Sequence, residues 1–321
     1  MENTLPTPKQ PVPVVQLAPD ELETPPLSLG QLTWRRFRRH RMATFGTVVL
    51  ILLVLYAFVG ALFVSEAEAN KTNTGQRLKP PSAEHWMGTD TVGRDIMART
   101  IYGGQISIII GLTAMLVEVT IGVLIGASAG FFGGKLDSVL MRMTEAVLVI
   151  PQLFLLLVMA KYFATLIPNL TVMGRTFSGS VVVIILIIGL TSWPYLARIV
   201  RAEFLSLKEN EFILAARATG TSTAEIIFRH ILPNSIAPII VAATLGVAAA
   251  ITTEAYISFL GLGVRPPTAT WGNMMEGAYN YITDAWWLWF FPGILIALIV
   301  LSINFLGDGL RDALDPHSRA L

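Results

Sequence analysis

The stretch MATFGTVVLILLVLYAFVGALFV, running from Met42 to Val64, holds no charged side chain. Crossing a hydrocarbon layer about 30 Å thick, at about 1.5 Å of rise per residue, takes roughly 20 apolar residues. The block meets that length. A secretory signal core is shorter, about 7–15 residues, and this block starts only after Arg41, so it reads as a retained anchor. Three more uncharged blocks follow: Thr176 to Ala197, Ile231 to Thr253 and Ala285 to Gly307. Thr100 to Gly134 is interrupted only by Glu118, and Ala146 to Pro168 only by Lys161. The sequence therefore predicts an all-α integral membrane protein with six spans, over about 43–63, 106–131, 145–166, 180–199, 237–260 and 287–307.

Composition agrees. Of 321 residues, 53% are hydrophobic and 14% charged, against about a quarter charged in soluble domains. An ordinary soluble enzyme is excluded. The absence of cysteine excludes disulfides, Fe–S clusters and thiolate zinc sites. The four histidines form no HExxH pair, and a net charge of +1 supplies no field for nucleic acid.

Short basic flanks set the orientation of a membrane protein. Trp34-Arg35-Arg36-Phe37-Arg38-Arg39-His40-Arg41 precedes the first span and places the N-terminus in the cytoplasm. Six spans return the C-terminus there. Loop 132–144, with Lys135 and Arg142, and loop 200–235, with Arg201, Lys208, Arg217 and Arg229, then lie inside. Outer loops 167–179 and 261–286 carry one arginine each, Arg175 and Arg265. The chain divides into a disordered Pro-rich cytoplasmic tail (1–30) and a basic segment with the first span (31–64). An extracytoplasmic segment (65–105), a five-helix core (106–310) that includes loop 200–235, and a cytoplasmic C-terminal tail (311–321) follow.

Loop 200–235 is long for a connector in a compact bundle, so it reads as a docking surface. One helix is predicted over about 209–218 with Gly220 as its C-terminal cap. A second opens at Thr221 or Ser222, with Glu225 completing a capping box, and ends near Pro233.

The stretch with Ala215-Ala216, Gly220 and Leu232-Pro233 resembles the EAA loop of ABC importer permeases, the coupling helix that sits in a cleft of the cytoplasmic ATPase. Further motifs narrow the resemblance. They are Gly88-Thr89-Asp90 with Gly93-Arg94-Asp95 and Tyr102-Gly103, Gly130-Phe131-Phe132-Gly133-Gly134, and Ser258 to Gly263 with Pro266-Pro267. Trp271-Gly272-Asn273-Met274 and Gly307 to Pro316 complete the set. In this order they resemble the DppC/OppC-type permeases of dipeptide, oligopeptide and nickel importers, over residues 31–316. Two positions depart: Leu214 stands where the triplet has glutamate, and His230 where an isoleucine recurs.

The resemblance implies a MetI-like ABC importer permease fold in the cell inner (plasma) membrane, with both termini cytoplasmic. It implies a non-catalytic subunit for dipeptide or oligopeptide uptake that forms half of the pore. Its partners would be a second homologous permease, two ABC ATPase subunits, which bind the ATP and Mg, and an extracytoplasmic solute-binding protein that delivers the peptide. It assigns ATPase coupling to Ala215, Ala216, Arg217, Gly220, Leu232 and Pro233. The chain has no GxxxxGK[ST] phosphate loop of its own and no cofactor is expected in it. Nickel–chelate import and, in another class, an ion-gradient-driven secondary transporter are the alternatives.

Small residues in span two (Gly122, Gly126, Ala127, Ala129, Gly130) and span five (Ala242 to Ala250) predict close helix contacts. Intramembrane acids are costly and point to function. Glu254 and Glu118 are therefore the candidates for the substrate path, Glu254 to receive a peptide ammonium. Trp271, Trp286 and Trp287 read as an interfacial belt around an outer helix over about 272–283, which suits docking of the binding protein and a membrane-surface anchor equally.

Overall fold

A computed structural model describes residues 28–163, 166–172 and 175–315. The chain opens with α1 (Leu29–Arg39), which Ser28 and Gln31 cap reciprocally. His40 is extended, and its Nδ1 accepts the Ala43 N–H at 3.0 Å, capping α2 (Arg41–Gly60). The short α3 (Glu66–Asn70) precedes α4 (Ile96–Phe132), whose N-terminal cap is Asp95. Then come α5 (Gly134–Val149) and α6 (Gln152–Phe163), and a hairpin that pairs β1 (Leu170–Val172) with β2 (Arg175–Phe177). After α7 (Ser180–Leu207) stands α8 (Glu211–Ala218). α9 (Thr223–Glu225), a π turn (Ile226–Ile231) and α10 (Leu232–Asn234) lead into α11 (Ile236–Phe259). α12 (Trp271–Met274) and α13 (Trp287–Leu314) close the chain.

Five helices, α2, α4, α7, α11 and α13, have the length and apolarity of a span. The predicted span over 145–166 is not one helix. α5 and α6 meet at an 81° bend, because Ile150 is extended and Pro151 disfavours the helical region in the residue before it. The span predicted at 106 starts instead at Ile96, since Asp95 accepts the Ala98 N–H at 2.8 Å and the Arg99 guanidinium has partners inside the protein. Residues 96–105 are therefore helical and packed within the bundle. At the other end α13 continues to Leu314, so residues 311–314 are helical. The disordered-tail reading falls on residues 1–27, which lie outside the described residues. Ser28 to Gly30 already form the start of α1.

α4 and α7 make the central pair. Gly122, Gly126 and Gly130, one turn apart, let the α7 residues Leu196, Ala197, Val200 and Phe204 approach the α4 backbone, and Gly189 of α7 seats Val117. A Cβ on Gly126, Gly130 or Gly189 would collide with its neighbour, and one on Gly122 would press tightly on Leu196. The small-residue reading of span two is thus realised as packing. α2, α11 and α13 pack on the other side of α4 through Leu53, Val247, Ile251, Ile299 and Ile303.

Side-chain links identify the two ends of the bundle. At one end, here termed inner, Arg201 holds Asp137 and Lys208 Nζ donates to the Gly130 carbonyl at 3.1 Å. A cavity of about 390 Å³ there is lined by Glu203 of α7, Pro238 of α11 and Asp315. Arg36 Nη1 donates to the Asp315 carbonyl at 2.9 Å. Residues 201–238, α1 and the end of α13 therefore share one end. At the opposite end, termed outer, Trp287 Nε1 donates to the Thr89 carbonyl and the Ser178 N–H to Thr268 Oγ1. The bent pair leads from Asp137 at the inner end to Leu156 and Ala160, which pack with Val183 and Ile184 near the outer start of α7.

Candidate coupling element and intramembrane carboxylates

The inner element is built around one anchor. Ile213 is wholly buried among Leu196, Val200, Phe204, Ile226 and Ile231, tying α8 to α7 and to the π turn. The rest of α8 faces outward. Phe212 and Leu214 are 43% and 49% exposed, Ala215 is exposed and Ala216 half-buried. Arg217 turns back, with its guanidinium carbon 5.7 Å from the centre of the Phe131 ring at the end of α4.

Gly220 ends α8 as predicted. Its φ of +82° is left-handed. The Gly220 N–H donates to the Arg217 carbonyl and the Thr221 N–H to the Ala216 carbonyl, at 3.0 and 3.1 Å, the paired bonds of a Schellman cap. Ser222 Oγ accepts the Glu225 N–H at 3.3 Å. Glu225 does not complete the predicted box; its carboxylate meets Arg229 at 3.0 Å. Nor does Pro233 end the second helix. The π turn stops at Ile231 and Pro233 stands in the first turn of α10, where its missing N–H is tolerated. A widened turn before the ring relieves its clash with the upstream carbonyl. Leu232 is half-buried and Pro233 exposed. Phe228, 68% exposed, widens the uncovered apolar surface on this side.

The two acids are not brought together. They face α11 positions eight residues apart, about 12 Å by helical rise: Glu118 lies on α4 beside Gly246, and Glu254 is itself on α11. Glu118 is 8% exposed, and among the described residues no hydrogen bond or ion pair reaches it. Glu254 is completely buried. Ser258 Oγ donates to Oε1 at 2.7 Å and Ser107 Oγ to Oε2 at 3.3 Å. Ser107 Oγ also accepts the Trp271 N–H at 3.2 Å, and Ser258 Oγ the Val264 N–H at 3.1 Å. The carboxylate thereby ties α4, α11 and the outer loop together. Glu254 keeps no exposed surface in this arrangement. The two serines were not singled out from sequence; the signal available was the Ser258 to Gly263 motif four residues after the acid.

The model of the family described as binding-protein-dependent transport system inner membrane component matches residues 122–320, and that of the N-terminal TM domain of oligopeptide transport permease C matches residues 28–81. The dipeptide transport system permease protein DppC of Bacillus subtilis is 39% identical over 301 residues, covering 94% of this chain and 89% of its own. The oligopeptide permease OppC of the same organism is 39% identical over 297 residues, 91% of each chain. A putative peptide transport system permease protein of Brucella abortus is 42% identical over 288 residues, 89% of this chain and 91% of its own. The chain belongs to the binding-protein-dependent transport permeases. It is a DppC/OppC-type member and a multi-pass membrane protein. Among solved structures, two inward-facing forms of the MetNI methionine ABC transporter align with TM-scores of 0.51 and 0.52, at 20% and 19% identity. They cover 66% and 68% of this chain and 95% and 98% of the matched chains. These show the MetI-like fold. Membership in this family decides against the ion-gradient-driven alternative.

Three of the motifs that narrow the resemblance, Gly88 to Asp95, Ser258 to Pro267 and Trp271 to Met274, meet at the outer end. The φ of Gly88 is +77° and that of Gly93 +78°, where only glycine is unstrained. A Cβ on Gly93 would also strike the Asn73 backbone. Asp90 accepts the Val92 and Arg94 N–H groups at 2.9 Å and the Arg94 Nε at 2.6 Å. Trp271 is not part of an interfacial belt. It is fully buried against Gly104, with Nε1 donating to the Thr100 carbonyl at 2.8 Å. Trp287 is likewise buried, while Trp286 and Trp289 keep exposed faces. The predicted outer helix over 272–283 is divided into α12 and a 3₁₀ turn (Ala278–Tyr281) by left-handed Gly277.

Proposed function

We propose that the chain is one half of the pore of an ATP-driven importer of dipeptides or oligopeptides. In this reading it sits in the cell inner membrane with six crossings, the bent α5–α6 pair being the third, and with both termini cytoplasmic. A second, related permease completes the pore, two ABC ATPase subunits supply ATP and Mg, and an extracytoplasmic solute-binding protein delivers peptide to the outer loops. The observation that carries the proposal is α8, an ordered helix held by one buried isoleucine, with Phe212, Leu214 and Ala215 turned away from the rest of the chain. Burying such residues in an ATPase cleft is favourable, and the stiff link through Ile213 to α7 passes a push on α8 into the bundle as a rigid-body shift. With Leu214 in place of glutamate, docking rests on shape and apolar contact.

Ala215, Ala216, Gly220, Leu232 and Pro233 are the coupling residues of this reading, with Arg217 acting from behind by fixing α8 to Phe131. Of the two acids, Glu118 serves the substrate path, since it sits in the membrane beside the small Gly246 without a committed partner. Glu254 contributes by holding the outer loop.

The test is co-expression with candidate ATPases and the partner permease, followed by peptide uptake and ATP hydrolysis in proteoliposomes. Ala216→Arg is expected to abolish ATP-linked uptake while the permease still inserts. Uptake that persists with no ATPase present would overturn the proposal.

A further inference from the structure

The cations at the start of the first span have few partners among the described residues. α1 carries Arg35, Arg36, Arg38 and Arg39, and Arg41 opens α2. Arg36 is held by the Asp315 carbonyl at 2.9 Å. Arg35, Arg38, Arg39 and Arg41 are exposed, and no salt bridge engages them among the described residues. The neighbouring Asp312 faces His40 Nε2 at 3.4 Å. Four guanidinium groups thus crowd one short segment with no ion-pair partner among the described residues.

Their depth is set by the fold. Met42, Phe45 and Val48 of α2 are exposed apolar side chains, and Arg41 stands one residue before the uncharged block that they open. The extended His40 breaks the helix there, and Phe37 packs on Ala43 and Ala313, which keeps α1 against the end of the bundle. α1 therefore stays against the end of the bundle, at the start of the apolar block, and does not project away. Leu32 and Trp34, the latter 60% exposed, add apolar surface of the kind that enters a membrane interface.

We propose that α1 and Arg41 form a binding site for the phosphate headgroups of anionic phospholipid in the leaflet at the inner end. The guanidinium fork matches phosphate oxygens in two-point contacts. Each juxtamembrane cation gains about fivefold in affinity for an anionic leaflet. An acidic protein surface would match the charge equally. The exposed Trp34 and the single-residue spacing from Arg41 to the uncharged span favour lipid. Because α1 packs on α13 beside the inner cavity, the bound lipid braces the end of the bundle that carries α8.

The experiment uses the chain in its assembled complex, reconstituted in nanodiscs with equal phosphatidylcholine and phosphatidylglycerol. Native mass spectrometry counts the lipids retained after release. The wild-type complex is expected to hold phosphatidylglycerol in preference to phosphatidylcholine, and less of it at high salt. In the triple variant R35Q/R38Q/R39Q, which keeps Arg36 and the Ser28 cap, the preference is expected to fall at least about tenfold. R229Q, at an exposed arginine of the inner element, is expected to leave it unchanged. If the triple variant fails to assemble, R38Q and R39Q singly are each expected to lower the preference about fivefold. Unchanged retention in these variants would overturn the proposal. So would an equal loss in R229Q, or loss of the ATPase subunits with lipid retention intact, which would make α1 a protein-docking helix. Lipid retention is read without transport, so its failure is distinct from failure of the importer reading.

Discussion

The outer and inner ends of this permease use its family motifs in opposite ways. At the outer end Glu254, Ser107, Ser258, Trp271 and Thr100 are buried and hydrogen-bonded to one another. At the inner end α8 exposes most of its residues and relies on Ile213. A region that must keep its shape buries its polar groups and satisfies them. A region that grips a partner leaves apolar groups uncovered and is held at few points. Substitutions at the outer end should therefore cost stability, and those on α8 should cost coupling.

The largest stability effect is expected at Trp271. Trp271→Ala removes a fully buried indole and its bond to Thr100, and unfolding in detergent should be easier by about 3–5 kcal/mol. Glu254→Ala comes next. It leaves two buried serine hydroxyls without an acceptor, at roughly 1–3 kcal/mol for each unsatisfied group. Glu254→Gln keeps one carbonyl oxygen and should recover part of the loss. Equal transport defects in the alanine and glutamine variants, with stability untouched, would instead make Glu254 a substrate contact and break the comparison.

The Arg201–Asp137 pair should be worth about 1–2 kcal/mol in a double-mutant cycle of alanine variants, because both groups are partly exposed. Gly220→Ala is expected to cost about 1 kcal/mol through its left-handed φ alone, since the space around it is open. Hydrogen exchange of the α8 amides would read it. The smallest stability effect should be at Leu214. Leu214→Ser on an exposed face should move unfolding by less than about 0.5 kcal/mol and yet reduce ATP-linked uptake severalfold. A large stability loss there would mean that α8 is packed like the outer end.

Legibility followed the range of the interactions. The cap at Gly220 was readable because a glycine after a helical run needs only its neighbours. The 81° bend after Val149 was missed because unbroken apolarity from Ala146 to Pro168 outweighed Pro151. The continuation through Pro233 was missed because a π turn is not encoded by any local signature. Trp271 looked interfacial because tryptophan near a span end usually is, whereas its partner Thr100 lies 171 positions away.

The sequence by itself determined that this is a multi-pass helical permease of the DppC/OppC type, where its apolar blocks lie, and that an ordered element stands between α7 and α11. Those are properties of apolar length, capping chemistry and motif order, all of which act over one or two helical turns. Only the tertiary structure decided that Glu254 is enclosed by serines while Glu118 is not, that Arg217 turns back onto Phe131, and that α1 shares an end with α8. Each depends on which distant groups come within hydrogen-bonding or packing distance, and Ser107 reaches Glu254 across 147 positions of chain.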